Sequence, residues 1–555
     1  MLTLKSLPKI NLSVNTIIFL TSAYIALFFN IPFYTKVLTA VTSNDIYSIY
    51  FLISVPIVLF CMTIILNSVF STKYLLKPFL IFTILLSSIL FYATFHYGII
   101  FDYGMVQNTV ETDSAEAFSY FNLYSLIFFL VLGLFPSILI YKIKVVRKTL
   151  VSELLSRARL ITSCLVILSI LISFFYVNFA SVGRNNRELT SYLTPFKLYE
   201  ASFKYMKRSL NNTSREFRLL DIKPTFKLVN SNQKVTVMVL GETARAKNFA
   251  LNGYESPTNE HTKGTNIISF SNVASCGTAT AVSVPCMFSR LDKENYDKHV
   301  ADSQQNVLDI INLSGVEVVW IDNNNGGCKG VCKRVESVSI DVDESDPLCD
   351  GEYCFDQKLL EPLDNKLRNL HAENTLIVLH MIGSHGPTYF KRYPKQHRKF
   401  IPDCQRSDIQ NCSSAELINT YDNTILYTDF ILKQIIDRLE ALSSNNDIDS
   451  SMLFVSDHGE SLGENGFFLH GLPYVFAPKE QTHIPMLYWQ APNNNQFDIT
   501  CIQHKAESAL SHDNFFDTLL GVTAVKTTAY IPQKDVFNTC KTNPLEQHGN
   551  TSYAE

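Results

Sequence analysis

The chain has 555 residues, 47% of them hydrophobic and 12% aromatic, with a formal net charge of −4. That is more chain than one ordinary domain holds, and the near-neutral charge removes any electrostatic case for a nucleic-acid partner. The apolar residues crowd into the first third, so two parts built for two different solvents are expected.

Five apolar segments, near 14–34, 47–70, 76–97, 119–141 and 159–180, are long enough to cross a bilayer, which takes about 20 residues each. The first lacks a small-residue cleavage site and further spans follow it, so it does not read as a cleavable signal peptide. Lys5 and Lys9 precede the first segment, and Lys73 and Lys77 separate the second from the third. Lys142, Lys144, Arg147, Lys148, Arg157 and Arg159 separate the fourth from the fifth, whereas the loop after the third carries Asp102, Glu111, Asp113 and Glu116. An excess of Lys and Arg marks the cytosolic side. The N-terminus is therefore expected in the cytosol, residues 1–180 as a five-helix transmembrane domain, and everything later outside.

Residues 181–228 join the parts. Within "TPFKLYEASFKYMKRSL", Phe196, Leu198, Tyr199, Phe203 and Tyr205 alternate with Lys197, Lys204, Lys207 and Arg208. That pattern suits an amphipathic helix lying on the membrane surface, or equally a surface helix of the exported domain.

Residues 229–555 show short apolar runs: "KVTVMVL" (234–240), "VEVVWI" (316–321), "NTLIVLH" (374–380) and "SMLFVS" (451–456). Helix-like stretches such as 415–442 separate them. This alternation predicts a parallel sheet covered by helices on both faces. Each run ends in a polar loop, "GETARAKN", "DNNNGGCKG", "MIGSHGPTY" or "DHGESLGENG". Open α/β sheets bind ligands at the carboxyl ends of their strands, so the four loops are expected to converge.

Of twelve cysteines, Cys61 and Cys164 fall in the apolar segments, where a thiol packs as a small hydrophobe. The other ten fall after residue 270. Eight of them form close-spaced couples: Cys276 with Cys286, Cys328 with Cys332, Cys349 with Cys354, and Cys404 with Cys412. Cys501 and Cys540 are left as a longer-range pair. Spacing alone does not fix connectivity, and Cys328-x-x-x-Cys332 also has near-ligand spacing for zinc. An even set of pairs suits an oxidising compartment.

Glu242 follows the first run at once, and Asp457-His458 follows the last. Carboxylates with an imidazole suit zinc; half of a structural ion pair is the other reading for Glu242. The threonine-rich stretch "SCGTATAVSVPCMF" (275–288) offers Thr280, with Thr278 and Ser283 as alternatives. A hydroxyl on a divalent metal ionises far more readily, which makes it a nucleophile near neutral pH. His385 and His470 sit in glycine-flanked loops and suit a phosphate contact, a second metal or proton transfer. Lys329, in "GCKG", is a cation suited to developing phosphoryl charge.

The ordered set "GETARAKNF", "SCGTATAVSVPCMFSR", "GCKGVC", "YCFD", "YDNTILYTDF", "SDHGESLGENGFFLHG" and "APKEQTHIPMLYW" closely resembles the lipid A phosphoethanolamine transferases, which include the mobile colistin-resistance enzymes. "FDYGMVQNTVET" and "RNNREL" extend the resemblance through the membrane part. It implies an alkaline phosphatase/sulfatase-like fold for the exported domain. It also implies zinc held by Glu242, Thr280, Asp457 and His458, with Thr280 as nucleophile. His385, His470 and Lys329 match substrate-contacting residues, the two histidines being the place for a second zinc if there is one. Asn108, Thr112 and Glu116 match residues that bind the ethanolamine lipid, and their spacing of four puts them on one helical face. Two positions depart from the family pattern. Ala279 stands where some members have serine, and "DNNNGGCKG" is one residue longer, which leaves its asparagine contact open between Asn324 and Asn325.

The implied reaction takes phosphoethanolamine from phosphatidylethanolamine onto Thr280 and then onto a phosphate of lipid A. The protein would be a monomer in the bacterial inner membrane with its catalytic domain in the periplasm. It would confer resistance to cationic peptides such as polymyxin. Transfer to a core sugar of lipopolysaccharide, or a phosphoglycerol transferase or hydrolase of the same fold, are the alternatives.

Overall fold

The computed structural model describes residues 10–43, 49–111, 120–210, 216–228, 232–324 and 326–542. It divides into two compact units. One holds the residues up to 106 with 121–207, and the other holds 107–120 with 208 onward.

The first unit is helical: α1 (Val14–Phe28), α2 (Ile31–Ser43), α3 (Ile49–Val69) and α4 (Leu76–Tyr97), then α5 (Tyr103–Glu111), whose residues from 107 on belong to the second unit. It continues with α6 (Leu123–Lys142), α7 (Leu150–Phe174) and α8 (Phe196–Leu210). Among the described residues α3, α4, α6 and α7 are each long and apolar enough to span a membrane, and the bent pair α1–α2 makes a fifth if counted as one span. The first expected span, 14–34, thus proves to be a helix of 15 residues followed by a 53° bend. Asn30 explains the break. Its Nδ2 donates to the Ile25 carbonyl at 3.1 Å and to the Thr194 carbonyl at 2.9 Å, and its Oδ1 accepts from Thr194 N–H. Pro32 then lies in the first turn of the next helix, where its missing N–H costs nothing. The last span starts nine residues earlier than expected, at Leu150, because Glu153 pairs with Arg157 one turn on and lets a charged segment stay helical. The linker sequence forms α8, with Phe203, Met206 and Leu210 exposed.

The second unit is built on an eight-stranded sheet: β1 (Lys234–Gly241), β2 (Ile268–Ala274), β3 (Glu317–Asp322), β4 (Glu336–Ser339), β5 (Asn374–His380), β6 (Asp449–Ser456), β7 (His483–Gln490) and β8 (Leu510–Ser511). Their spatial order is β8-β2-β7-β6-β1-β5-β3-β4. The five strands from β6 to β4 are parallel, while β7 runs antiparallel to both neighbours. Every residue of β1, β5 and β6 is buried, as strands covered on both faces must be, which is why they read as continuous apolar runs. Met238, Trp320, Phe288, Val378 and Leu453 belong to the core on one face. The helix α9 (Thr280–Met287) contributes Val284 and Met287 to that core. The long helix α10 (Ser414–Asn446) begins with a Ser413–Glu416 capping box and buries Tyr421, Ile425 and Leu432.

The ten cysteines of this unit are joined in five disulfides: Cys276 to Cys286, Cys328 to Cys332, Cys349 to Cys354, Cys404 to Cys412, and Cys501 to Cys540. Cys328 and Cys332 are therefore a disulfide and not zinc ligands. The bond between Cys349 and Cys354 closes a short loop whose Cys354 carbonyl accepts from Asn323 Nδ2 at 3.0 Å, so it braces the segment after β3. The bond between Cys404 and Cys412 ties down the chain just before α10, where Cys404 N–H donates to Thr420 Oγ1 at 2.6 Å. Both of these bonds staple loops and bring no sulfur to the metal-type cluster described below. Cys61 and Cys164 are buried free thiols.

Candidate active site

Register decides which side chains meet. In the parallel pair β1–β6, Gly241 lies opposite Ser456, so Glu242 and Asp457 leave the sheet side by side. On the other side Leu240 pairs with His380, and His380 pairs with Asp322, which aligns the ends of β1, β5 and β3. The loops after β1, β3, β5 and β6 thus emerge along one edge.

Three contacts lock the turn after β1. Asp457 N–H donates to the Gly241 carbonyl at 2.9 Å, Thr243 N–H to Asp457 Oδ1 at 3.0 Å, and the Thr243 hydroxyl to Glu242 Oε1. His458 N–H donates to Asp457 Oδ1 at 2.7 Å, and Nδ1 of its ring lies 2.9 Å from the Gly459 carbonyl. A backbone acceptor there puts the ring proton on Nδ1 and leaves the Nε2 lone pair free to face the site. Ligand atoms of Glu242, Asp457 and His458 lie within 4.8 Å of one another, and all three side chains are buried. Thr280, at the start of α9, places its hydroxyl 3.1 and 3.3 Å from the two Glu242 oxygens and 3.3 Å from His458 Nε2.

The neighbouring hydroxyls point elsewhere. Thr278 donates to the Leu472 carbonyl at 2.5 Å, and Ser283 donates to the Asp457 carbonyl. Asn324 steadies the far side of Glu242, donating from Nδ2 to its Oε2 at 2.9 Å and to the Met381 carbonyl at 3.2 Å. Asn325 lies outside the described residues, as do Thr112 and Glu116. Asn108 lies on α5. The rings of His385 and His470 are 5.4 Å apart, and that of His470 is 4.6 Å from His458, so both expected histidines reach the cluster. Lys329 takes a left-handed φ of 48° and donates from Nζ to the Glu111 carbonyl at 3.1 Å.

Burial pushes both carboxyls up. At Glu242 the imidazoles of His458, His385 and His470 and the Thr243 hydroxyl outweigh it and hold that carboxyl below its ordinary value. Asp457, desolvated and beside the charged Glu242, is held above its own. Its Oδ2 accepts no hydrogen bond among the described residues. A fully buried carboxylate oxygen with no donor is costly unless a cation lies against it. Two carboxylates and an imidazole at this spacing fit a zinc ion and leave its fourth, reactive position to the Thr280 hydroxyl.

Two buried groups at the cluster escaped the sequence reading. Glu460 Oε2 lies 3.3 Å from His470 Nδ1; the signal was a second acid two residues beyond His458 in "SDHGE". His512, which follows β8, carried no signal beyond a polar run after a short strand.

The fold and cluster together define a class: a membrane-anchored enzyme whose second unit is a sulfatase/alkaline phosphatase-like domain with a metal-type centre at its strand ends. Residues 234–525 match the Sulfatase family model, and residues 59–210 match the model described as Phosphoethanolamine transferase EptA/EptB. The chain belongs to the phosphoethanolamine transferase family. It is 38% identical over 530 residues to the phosphoethanolamine transferase EptA of Escherichia coli (strain K12), covering 94% of this chain and 96% of that one. To the phosphatidylethanolamine transferase Mcr-1 of Escherichia coli it is 36% identical over 504 residues, covering 88% and 91%. The solved structure of the integral membrane lipooligosaccharide phosphoethanolamine transferase A of Neisseria meningitidis superposes with a TM-score of 0.90 at 34% identity, covering 96% of this chain and all of that one.

Proposed function

We propose that this protein moves phosphoethanolamine from phosphatidylethanolamine to a phosphate of lipid A through a covalent intermediate on Thr280. The observation that carries this reading is the Thr280 hydroxyl at 3.1–3.3 Å from Glu242 and His458, at the start of a helix and in a fully buried cluster that calls for a cation. Glu242, Thr280, Asp457 and His458 would hold the zinc ion, which when bound lowers the pKa of the threonine hydroxyl and screens phosphoryl charge.

The residues of the chain divide the remaining work. Glu242 accepts the Thr280 hydrogen bond in the geometry seen here, Asn324 keeps that carboxylate in place, and the hydroxyl proton passes to the flanking histidines as Thr280 attacks. Thr280 Oγ forms a bond to the phosphorus of the donor as the bond to the diacylglycerol oxygen breaks. His385 and His470, flanking the cluster, supply the proton that oxygen needs. An oxygen of a lipid A phosphate then attacks the same phosphorus, and Thr280 leaves with its hydroxyl restored. Lys329 and the N-terminus of α9 offset charge at the phosphoryl oxygens.

Both substrates are lipids, and tethering the domain to their membrane raises their effective concentration. The charge bias of the loops and the five disulfides support a periplasmic location. An added ethanolamine amine offsets negative charge on the outer surface, which weakens the binding of cationic peptides such as polymyxin.

The test is mass spectrometry of the full-length protein after incubation with phosphatidylethanolamine and no acceptor. A phosphoethanolamine adduct on the peptide holding Thr280, absent in Thr280→Ala, is expected. An adduct that survives in Thr280→Ala, or none in zinc-loaded wild type, would overturn the reading.

A further inference from the structure

The turn that carries Thr280 presents three successive backbone N–H groups to the protein interior, and each has one partner. Ser275 N–H donates to the Thr482 carbonyl at 2.8 Å, just before β7. Gly277 N–H donates to Ser283 Oγ at 3.3 Å, a partner from within the turn. Cys276 N–H, between them, donates to Nδ1 of His512 at 3.0 Å. The same imidazole reaches the other half of the site, because its Nε2 lies 3.0 Å from the carbonyl of Ser456, the last residue of β6. His512 is buried. Its two ring nitrogens therefore join the turn before the nucleophile to the strand that delivers Asp457 and His458.

The partners fix the tautomer. Cys276 offers a hydrogen, so Nδ1 must present its lone pair; Ser456 offers an oxygen, so Nε2 must carry the proton. Ser283 completes the bridge, accepting from Gly277 and donating to the Asp457 carbonyl, with its oxygen 3.3 Å from His512 Nδ1. The disulfide between Cys276 and Cys286 braces the turn against its own helix, but it does not tie that helix to β6. Ring and hydroxyl do.

We infer that His512 is a positioning residue for the transfer reaction, holding Thr280 in register with Asp457 and His458 through the Cys276 N–H. This rests on the reading of Thr280 as nucleophile. Misplacing a reacting group by about 1 Å costs on the order of 10²-fold in rate, so a lost tether acts on turnover, while donor binding, which uses other groups, stays.

Two isosteres separate the ring nitrogens. In His512→Asn, Oδ1 replaces Nδ1 as acceptor for Cys276 and the contact to Ser456 is lost. In His512→Gln, the amide nitrogen reaches toward Ser456 and nothing accepts from Cys276. Full-length, zinc-loaded variants are assayed for kcat and KM for phosphatidylethanolamine and for thermal midpoint, with Thr280→Ala in parallel. Each variant cuts the bridge at one end, so expected in both are a lowered midpoint and kcat lower by about 10²-fold with KM unchanged. A kcat within about threefold of wild type in either variant, a loss that falls on KM, or activity that merely follows the midpoint would overturn the inference. Transfer by Thr280→Ala would instead remove the nucleophile reading beneath it, so the two failures are distinguishable.

Discussion

Gly383, in the loop "MIGSHGP", approaches Glu242 more closely than any side chain would allow. Its φ is +50°, and a Cβ placed there would lie 2.5 Å from the Glu242 carbonyl oxygen and 3.1 Å from both its Cβ and its nitrogen. Ordinary contact begins at 3.4 Å, so in Gly383→Ala about 0.9 Å must be given up between the two loops. Neither loop is free to yield. Gly383 N–H is held by the buried Asp356 carboxylate at 2.9 Å, and Ser384 N–H by the Glu242 carbonyl at 3.0 Å. Relief must come from a shift of Glu242, which contacts Thr280, or of the loop holding His385, whose ring lies 5.4 Å from that of His470. The left-handed backbone costs alanine about 1–2 kcal/mol and the overpacking about 1–3 kcal/mol. That is a large share of domain stability but less than its total. A displacement approaching 1 Å at a ligand or phosphate contact lowers turnover by about 10- to 100-fold. Full-length Gly383→Ala in detergent is assayed for transfer, for metal content by elemental mass spectrometry and for thermal midpoint. The expected result is a folded protein with a lower midpoint and a rate down by that factor. Wild-type metal content with a rate within about threefold would refute the argument, because the loops would then have parted without disturbing either group.

Removing the metal with a chelator is expected to abolish transfer and lower the thermal midpoint, since the carboxylates of Glu242 and Asp457 are then buried together without a cation; activity persisting in protein shown to be metal-free would contradict the site. Replacing both Cys276 and Cys286 with alanine should cost about 2–4 kcal/mol and at least about tenfold in rate while near-UV circular dichroism still reports a folded domain; simultaneous loss of signal and activity would make the brace merely structural. Lys234 is fully buried, and burial lowers its pKa to about 8 despite Asp449, with Gln496 accepting from its Nζ. Its folded pKa lies below the unfolded value of 10.5, so between pH 8 and 10.5 the unfolded chain binds more protons and stability should rise with pH by about 3 kcal/mol. The midpoint of wild type relative to Lys234→Met should rise across that range, a difference in which the buried tyrosines, which lose stability near pH 10 in both proteins, cancel; a constant difference would refute the assignment.

The amino-acid sequence by itself determined the two-part plan, the parallel core of the second unit and the residue types of the centre. Physical reasons lie behind each. A bilayer demands long uninterrupted apolar helices, and a parallel strand buried on both faces leaves a contiguous apolar run, so β1, β3, β5 and β6 lie where the runs are. Ligands gather at strand ends, so Glu242 and Asp457-His458 stand out as the first polar residues after two such runs. Tertiary structure decided what depends on distant partners. The order β8-β2-β7-β6-β1-β5-β3-β4 and the antiparallel β7 follow from non-local pairing, which no local pattern encodes. The bend near Asn30 depends on Thr194, 164 residues away, so the first span looked continuous. Spacing left the role of Cys328 and Cys332 open between disulfide and zinc, and only their meeting in the folded loop chose the disulfide. Among Thr278, Thr280 and Ser283, composition could not choose; the register of Gly241 with Ser456 and the seat of α9 turn Thr280 toward Glu242 and give the other two hydroxyls to backbone carbonyls. His512 acts on Cys276 across 236 residues of sequence, and only folding brings that imidazole to the one amide of the turn left to it.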